Sequence, residues 1–169
     1  EVNQIIIIQE GNGQVCNDLG DLNGDGGWNV LDIVTLANCV LAHNCAELEN
    51  GCAGDLNSDG AYNVLDIVML ANCILAGNCG GRIDDATQAR LVLQDGKIKI
   101  EADGFIGGVQ MTLQHGSDFS IRLTEKALYS NFISDNNETR LIIVTPGTKE
   151  LFLYNGEFAI SELIVANSQ

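Results

Sequence analysis

At 169 residues the chain is long enough for one large domain or two small ones, and its composition breaks partway along. The first 81 residues carry 11 acidic groups and no basic ones, a formal charge of −11, whereas the remainder, with 12 acidic and 8 basic residues, carries −4. This acidity argues against nucleic acids and other polyanions as partners and calls for a cationic counter-charge in the first half. No apolar run approaches the roughly 20 residues that membrane insertion by a helix needs.

Residues 1–13 open with Val2-Asn3-Gln4-Ile5-Ile6-Ile7-Ile8-Gln9, a segment of strong β propensity, followed by a Glu10-Gly11-Asn12-Gly13 hinge. Ile5, Ile6, Ile7 and Ile8 place apolar side chains on both faces of a strand, which predicts a strand covered on both sides. An exposed edge of this kind aggregates unless it is paired. Two pairings fit: the segment is the first strand of the chain's own sandwich, or it completes the sandwich of a neighbouring molecule by strand addition. The second is favoured because the hinge is long enough to reach out, and a head-to-tail contact that does not close builds a filament. Glu1 in place of an initiating Met fits an exported form, so a secreted, extracellular or cell-surface location is expected.

Residues 14–82 hold all six cysteines, Cys16, Cys39, Cys45, Cys52, Cys73 and Cys79. An even number in a stretch too short for a large core indicates disulfides, and the absence of any Cys-x-x-Cys speaks against zinc. Six cysteines allow 15 pairings, and pseudo-symmetry favours those that treat both repeats alike.

The same stretch repeats itself at an offset of 34 residues, from Gly20 and from Gly54. In each copy oxygen-bearing residues recur at alternate positions, Asp21, Asn23 and Asp25, then Asp55, Asn57 and Asp59, as a hard cation requires. Gly26 and Gly60 supply the sharp turn, the carbonyls of Gly27 and Ala61 follow, Asn29 and Asn63 reach the ion directly or through water, and Asp32 and Asp66 close each twelve-residue loop. Three carboxylates per loop leave each occupied site near −1 and each empty one at −3, so metal binding should drive folding. Many flexible oxygens favour Ca2+ over magnesium, with two sites. Apolar residues at helical spacing then predict helices over 30–41 and 64–75, with Trp28 and Tyr62 filling the core between the halves.

Asp-x-Asn-x-Asp-Gly-x-x-Asn-x-x-Asp followed by one helix, in duplicate over roughly residues 16–80, resembles the type I dockerin module. The resemblance implies a calcium-binding adaptor that docks onto a cohesin, with the residues just named as ligands. Two departures stand out. Val30-Leu31 and Val64-Leu65 occupy positions where such modules often carry Ser-Thr, and Ala37-Asn38 and Ala71-Asn72 positions where they often carry basic pairs. The cysteines are a third departure.

In residues 83–169 the period changes to two, through 91–93, 97–100, 109–113, 119–123, 141–145, 151–154 and 158–165, with turn signals at Asp95-Gly96, Pro146-Gly147 and Asn155-Gly156. This predicts an antiparallel β-sandwich of about seven strands, which resembles a cohesin or immunoglobulin-type sandwich, chiefly through Gly107-Gly108-Val109-Gln110-Met111-Thr112-Leu113. Asn137-Glu138-Thr139 is a glycosylation acceptor pattern.

No nucleophile elbow, phosphate loop or zinc-protease motif is present, the acidic pairs are assigned as metal ligands, and His43 and His115 stand apart, so no enzyme is expected. The expected fold class is α+β in two domains, a small helical calcium module beside an antiparallel sandwich. The expected function is a structural subunit that self-assembles through its N-terminal strand. The alternative is a recognition module that docks a cohesin-like partner while the sandwich binds another protein or a glycan.

Overall fold

The computed structural model describes residues 16, 18–77, 79, 82 and 84–168, and the expected strand within 1–13 lies outside the described residues. Helix α1 spans Val30–Ala42 and α2 spans Val64–Ala76, with two short 3-10 helices, Cys45–Glu47 and Gly51–Gly54, between them. Both α-helices start the same way. Asn29 and Asn63 are N-caps whose side chains accept from the amides of Leu31 and Leu65, and Asp32 and Asp66 reach back to the cap amides, completing capping boxes. Both stop on a left-handed residue, His43 at φ 54° and Gly77 at φ 60°.

Eight strands follow: β1 Ala89–Gln94, β2 Lys97–Ala102, β3 Gly108–His115, β4 Ser120–Leu123, β5 Ala127–Asp135, β6 Glu138–Pro146, β7 Glu150–Asn155 and β8 Phe158–Ala166. They form two antiparallel four-stranded sheets, ordered β1-β2-β7-β4 and β5-β6-β3-β8. The sequence reading missed one strand, β5, and the turn signal at Asp95-Gly96 is a hairpin with both residues at positive φ, 52° and 70°.

The small helical module and the antiparallel β-sandwich expected from the sequence are both present, and they stack as three layers. One core lies between the sheets, built on Ile98, Val109, Met111, Leu113, Leu141, Ile143 and Phe152. A second lies between the helices and the outer face of the β5-β6-β3-β8 sheet, and it joins Ile33, Leu36, Ile67 and Leu70 to Ile142, Val144 and Ala166. Strand β6 explains the arrangement: Leu141, Ile142, Ile143 and Val144 are all fully buried, alternate residues serving alternate cores. Fully burying each such side chain stabilises the fold by about 1.5–3 kcal/mol.

Gly107 and Gly108, at the start of β3, permit this layering. A Cβ at Gly108 would meet Val64 Cγ2 at 2.5 Å and Val68 Cγ2 at 2.8 Å, and one at Gly107 would run into Val68 and the Asn167 carbonyl. The glycine pair that suggested a sandwich family thus admits α2 to the sheet.

Candidate metal centres

The two loops, 21–32 and 55–66, share a hydrogen-bond scheme centred on their first and last aspartates. Asp32 Oδ1 accepts from the amides of Leu22 and Asn23 while its Oδ2 accepts from Asn29, and Asp66 does the same with Leu56, Asn57 and Asn63. One carboxylate therefore ties the start of the loop to the start of the helix in each repeat. Asp21 accepts from the amides of Gly24, Asp25 and Gly26, and Asp55 from those of Asp59 and Gly60. Gly26 and Gly60 hold φ of 84° and 82°, the left-handed turn that the sequence assigned to glycine.

At alternate positions, Asn23 and Asn57 donate to Asp25 and Asp59 at 3.0 and 2.9 Å, and the latter two accept from the amides of Gly27 and Ala61. Asn29 and Asn63 turn their carboxamide oxygens to the helix caps, a role that the sequence reading did not assign to them. Among the described residues no group of three or more His, Cys, Asp or Glu side chains converges on one point; the loop carboxylates face loop amides.

The donor set nonetheless fits a hard cation. It is all oxygen, and three carboxylates sit within twelve residues. Asp32 and Asp66 are fully buried and Asp21 nearly so. Burial pushes the Asp66 carboxyl up, the Asn63, Asn57 and Leu56 amides oppose that shift, and the Asp55 charge adds to it. A divalent ion in the loop would offset both the desolvation and the repulsion. Asp21, Asn23, Asp25 and Asp32, and Asp55, Asn57, Asp59 and Asp66, are the side chains that would hold it, supplying charge neutralisation and loop order.

The cysteines pair as Cys16–Cys52, Cys39–Cys45 and Cys73–Cys79. The last two each join the final turn of an α-helix to a cysteine six positions further on, so both repeats are treated alike. The first links the two lead-in segments.

The repeats differ in what surrounds them. Val64 is fully buried against the sandwich, and its amide donates to Gln110 Oε1 at 3.0 Å. Its counterpart Val30 is 51% exposed and Leu31 59% exposed. Trp28 is 51% exposed, which corrects the expectation that it fills the core; only Tyr62 packs against the helix cluster. Asn38 Oδ1 accepts from Tyr129 Oη at 2.7 Å and Asn131 Nδ2 at 3.3 Å, and Asn72 Nδ2 donates to the Ser168 carbonyl at 3.3 Å. Both uncharged Asn positions are therefore engaged by the chain's own sandwich.

Elsewhere, Asn137 lies exposed in the β5–β6 turn, but Thr139 is fully buried, bonded to His115 Nε2 at 2.7 Å and Ser134 Oγ at 2.6 Å. His115 also stacks on Phe119 at 4.3 Å, and His43 terminates α1. The described residues contain no helix long and apolar enough to cross a membrane.

No curated protein and no solved structure matches the chain. Residues 19–75, the loop-helix pair and about a third of the length, match the family model of the dockerin type I domain.

Proposed function

We propose that this chain is a secreted, non-catalytic structural subunit, in which two calcium ions order a dockerin-type module that buttresses its own β-sandwich, and that subunits join through the N-terminal strand. The observation that carries the reading is the use of the module's departures from the dockerin pattern. Val64 is buried against the chain's own sandwich, and Asn38 and Asn72 are hydrogen-bonded to it. A module so engaged is part of a rigid subunit, and the acidic calcium loops with three disulfides suit an extracellular assembly. Light scattering and negative-stain electron microscopy in calcium test it. Polymers of the full chain that disappear on deletion of residues 1–13, while the remainder stays folded, support the structural role. A full chain that is monomeric at all concentrations contradicts it.

A second reading is favoured by the exposure of Trp28, Val30 and Leu31 on the first repeat. That face is free to dock a cohesin-like partner. Calorimetric titration with cohesin domains, compared with Leu31→Glu, tests this reading: saturable binding that the substitution abolishes supports it, and absence of heat removes it.

A further inference from the structure

We propose that the seam between the edge strands β1 and β8 is an acceptor groove, and that residues 2–9 of a second copy of this chain add there as a strand along β8. This rests on the assembly reading above and names the site at which it takes place. On β8, Ile160, Leu163 and Val165 pair with Leu113, Met111 and Val109, which lie in the core between the sheets. On β1, Leu91 and Leu93 pair with Ile100 and Ile98 of the same core. All of these side chains therefore point inward. Yet Leu163 is 43% exposed and Leu93 54% exposed in the folded single chain. Inward-facing leucines that stay wet on two edge strands mark a sandwich that lacks a strand.

The two edges adjoin. Asn167 Nδ2 donates to the Ala86 carbonyl at 3.2 Å and the Ser168 amide to Asp85 at 3.0 Å, so the segment before β1 runs beside the end of β8. A cleft of about 360 Å³ opens there, lined by Leu65, Ala86, Ala89, Ile106, Val165 and Ala166, where α2 meets both strands. Strand β8 pairs with β3 alone, and among the described residues no strand lies on its other side.

The identity of the occupant follows from the pattern of apolar residues. Strands β2 and β4 border only the core between the sheets and alternate, Lys-Ile-Lys-Ile and Ser-Ile-Arg-Leu. Strands β6 and β8 contribute to both cores and carry unbroken runs, Leu141-Ile142-Ile143-Val144 and Leu163-Ile164-Val165-Ala166. Ile5-Ile6-Ile7-Ile8 is a run of this second kind. At about 3.3 Å per residue, residues 2–9 extend roughly 26 Å, a match for the nine residues of β8. Under the assembly reading above, a second molecule is the donor.

The test uses the full chain in calcium with Leu163→Glu, Leu93→Glu and, on the far edge, Leu128→Glu, followed by light scattering, electron microscopy and thermal melting. Loss of at least tenfold in polymer mass for the first two, with unchanged melting and with Leu128→Glu assembling normally, is the expected result. Normal polymers from Leu163→Glu and Leu93→Glu, when deletion of residues 1–13 still prevents assembly, overturn the groove and leave the assembly reading standing. If the unsubstituted chain forms no polymer, the assembly reading fails by itself. The groove is then judged by adding a synthetic peptide of residues 1–13 to the chain lacking them. Slowed amide exchange along β8 supports the acceptor site, and unaltered exchange overturns it.

Discussion

Asp66 shows how much a single side chain organises in this molecule. It closes the 55–66 loop, completes the capping box of α2 and accepts from three backbone amides, all while fully buried. Asp66→Ala would leave the Leu56, Asn57 and Asn63 amides without their acceptor. A buried donor left unpaired costs about 1–3 kcal/mol. The expected outcome in excess chelator is a destabilisation of at least that size by urea denaturation. In calcium the deficit should widen, because the second site loses one of its three charges. The sequence made Asp66 legible as the residue that closes a twelve-residue loop of alternate oxygen donors, but not as part of a cap or as an acceptor for three amides. The capping role of Asn29 and Asn63 was not assigned beforehand, although the Asn-x-x-Asp spacing before an apolar run is the sequence form of a capping box.

At the scale of elements, one contact decides how the module meets the sheets and another holds an edge of the sandwich. The first is the approach of α2 to Gly108. Gly108→Ala places a Cβ 2.5 Å from Val64 Cγ2, and overpacking of this kind costs about 1–3 kcal/mol. Equilibrium denaturation checks it, and the loss should be largest where helices and sandwich unfold together. The second contact pins the segment before β1 to the end of β2. Asp103 accepts from the Thr87 hydroxyl and from the Gln88 and Thr87 amides, which hold its carboxyl down at about 2. Because the folded value lies below the unfolded one of 3.8, the contribution is fully present above about pH 4 and is lost as pH falls toward 2. Carboxyl NMR titration should give that low midpoint, and Thr87→Ala should move it up toward the ordinary value.

Strand β5 escaped the sequence reading for a reason visible in its contacts. Its helix-side residues Tyr129 and Asn131 bond to Asn38 of α1, so that face is polar in the sequence and the alternation is lost. The repeats present a sharper limit. Asn-Val-Leu-Asp-Ile-Val occurs in both, yet Val64 is buried and Val30 exposed. Identical local sequence cannot encode that difference; it depends on which repeat meets Gly107 and Gly108, more than thirty residues downstream of α2.

As a whole molecule, the helical module and the sandwich should unfold as one cooperative unit, because Ile142, Val144 and Ala166 of the sheet share a core with both helices. Calcium bound in the loops should then stabilise strands that no calcium ligand touches. At a hundredfold excess over its dissociation constant, a ligand adds about 2.7 kcal/mol per site. At about 2–4 °C per kcal/mol for a chain of this size, two sites amount to roughly 10–20 °C. The most direct measurement is differential scanning calorimetry of the full chain in calcium and in excess chelator. The expected result is a single transition that moves down by that amount when calcium is removed, carrying the sandwich with it. Two separate transitions, with only the smaller one responding to calcium, would contradict it.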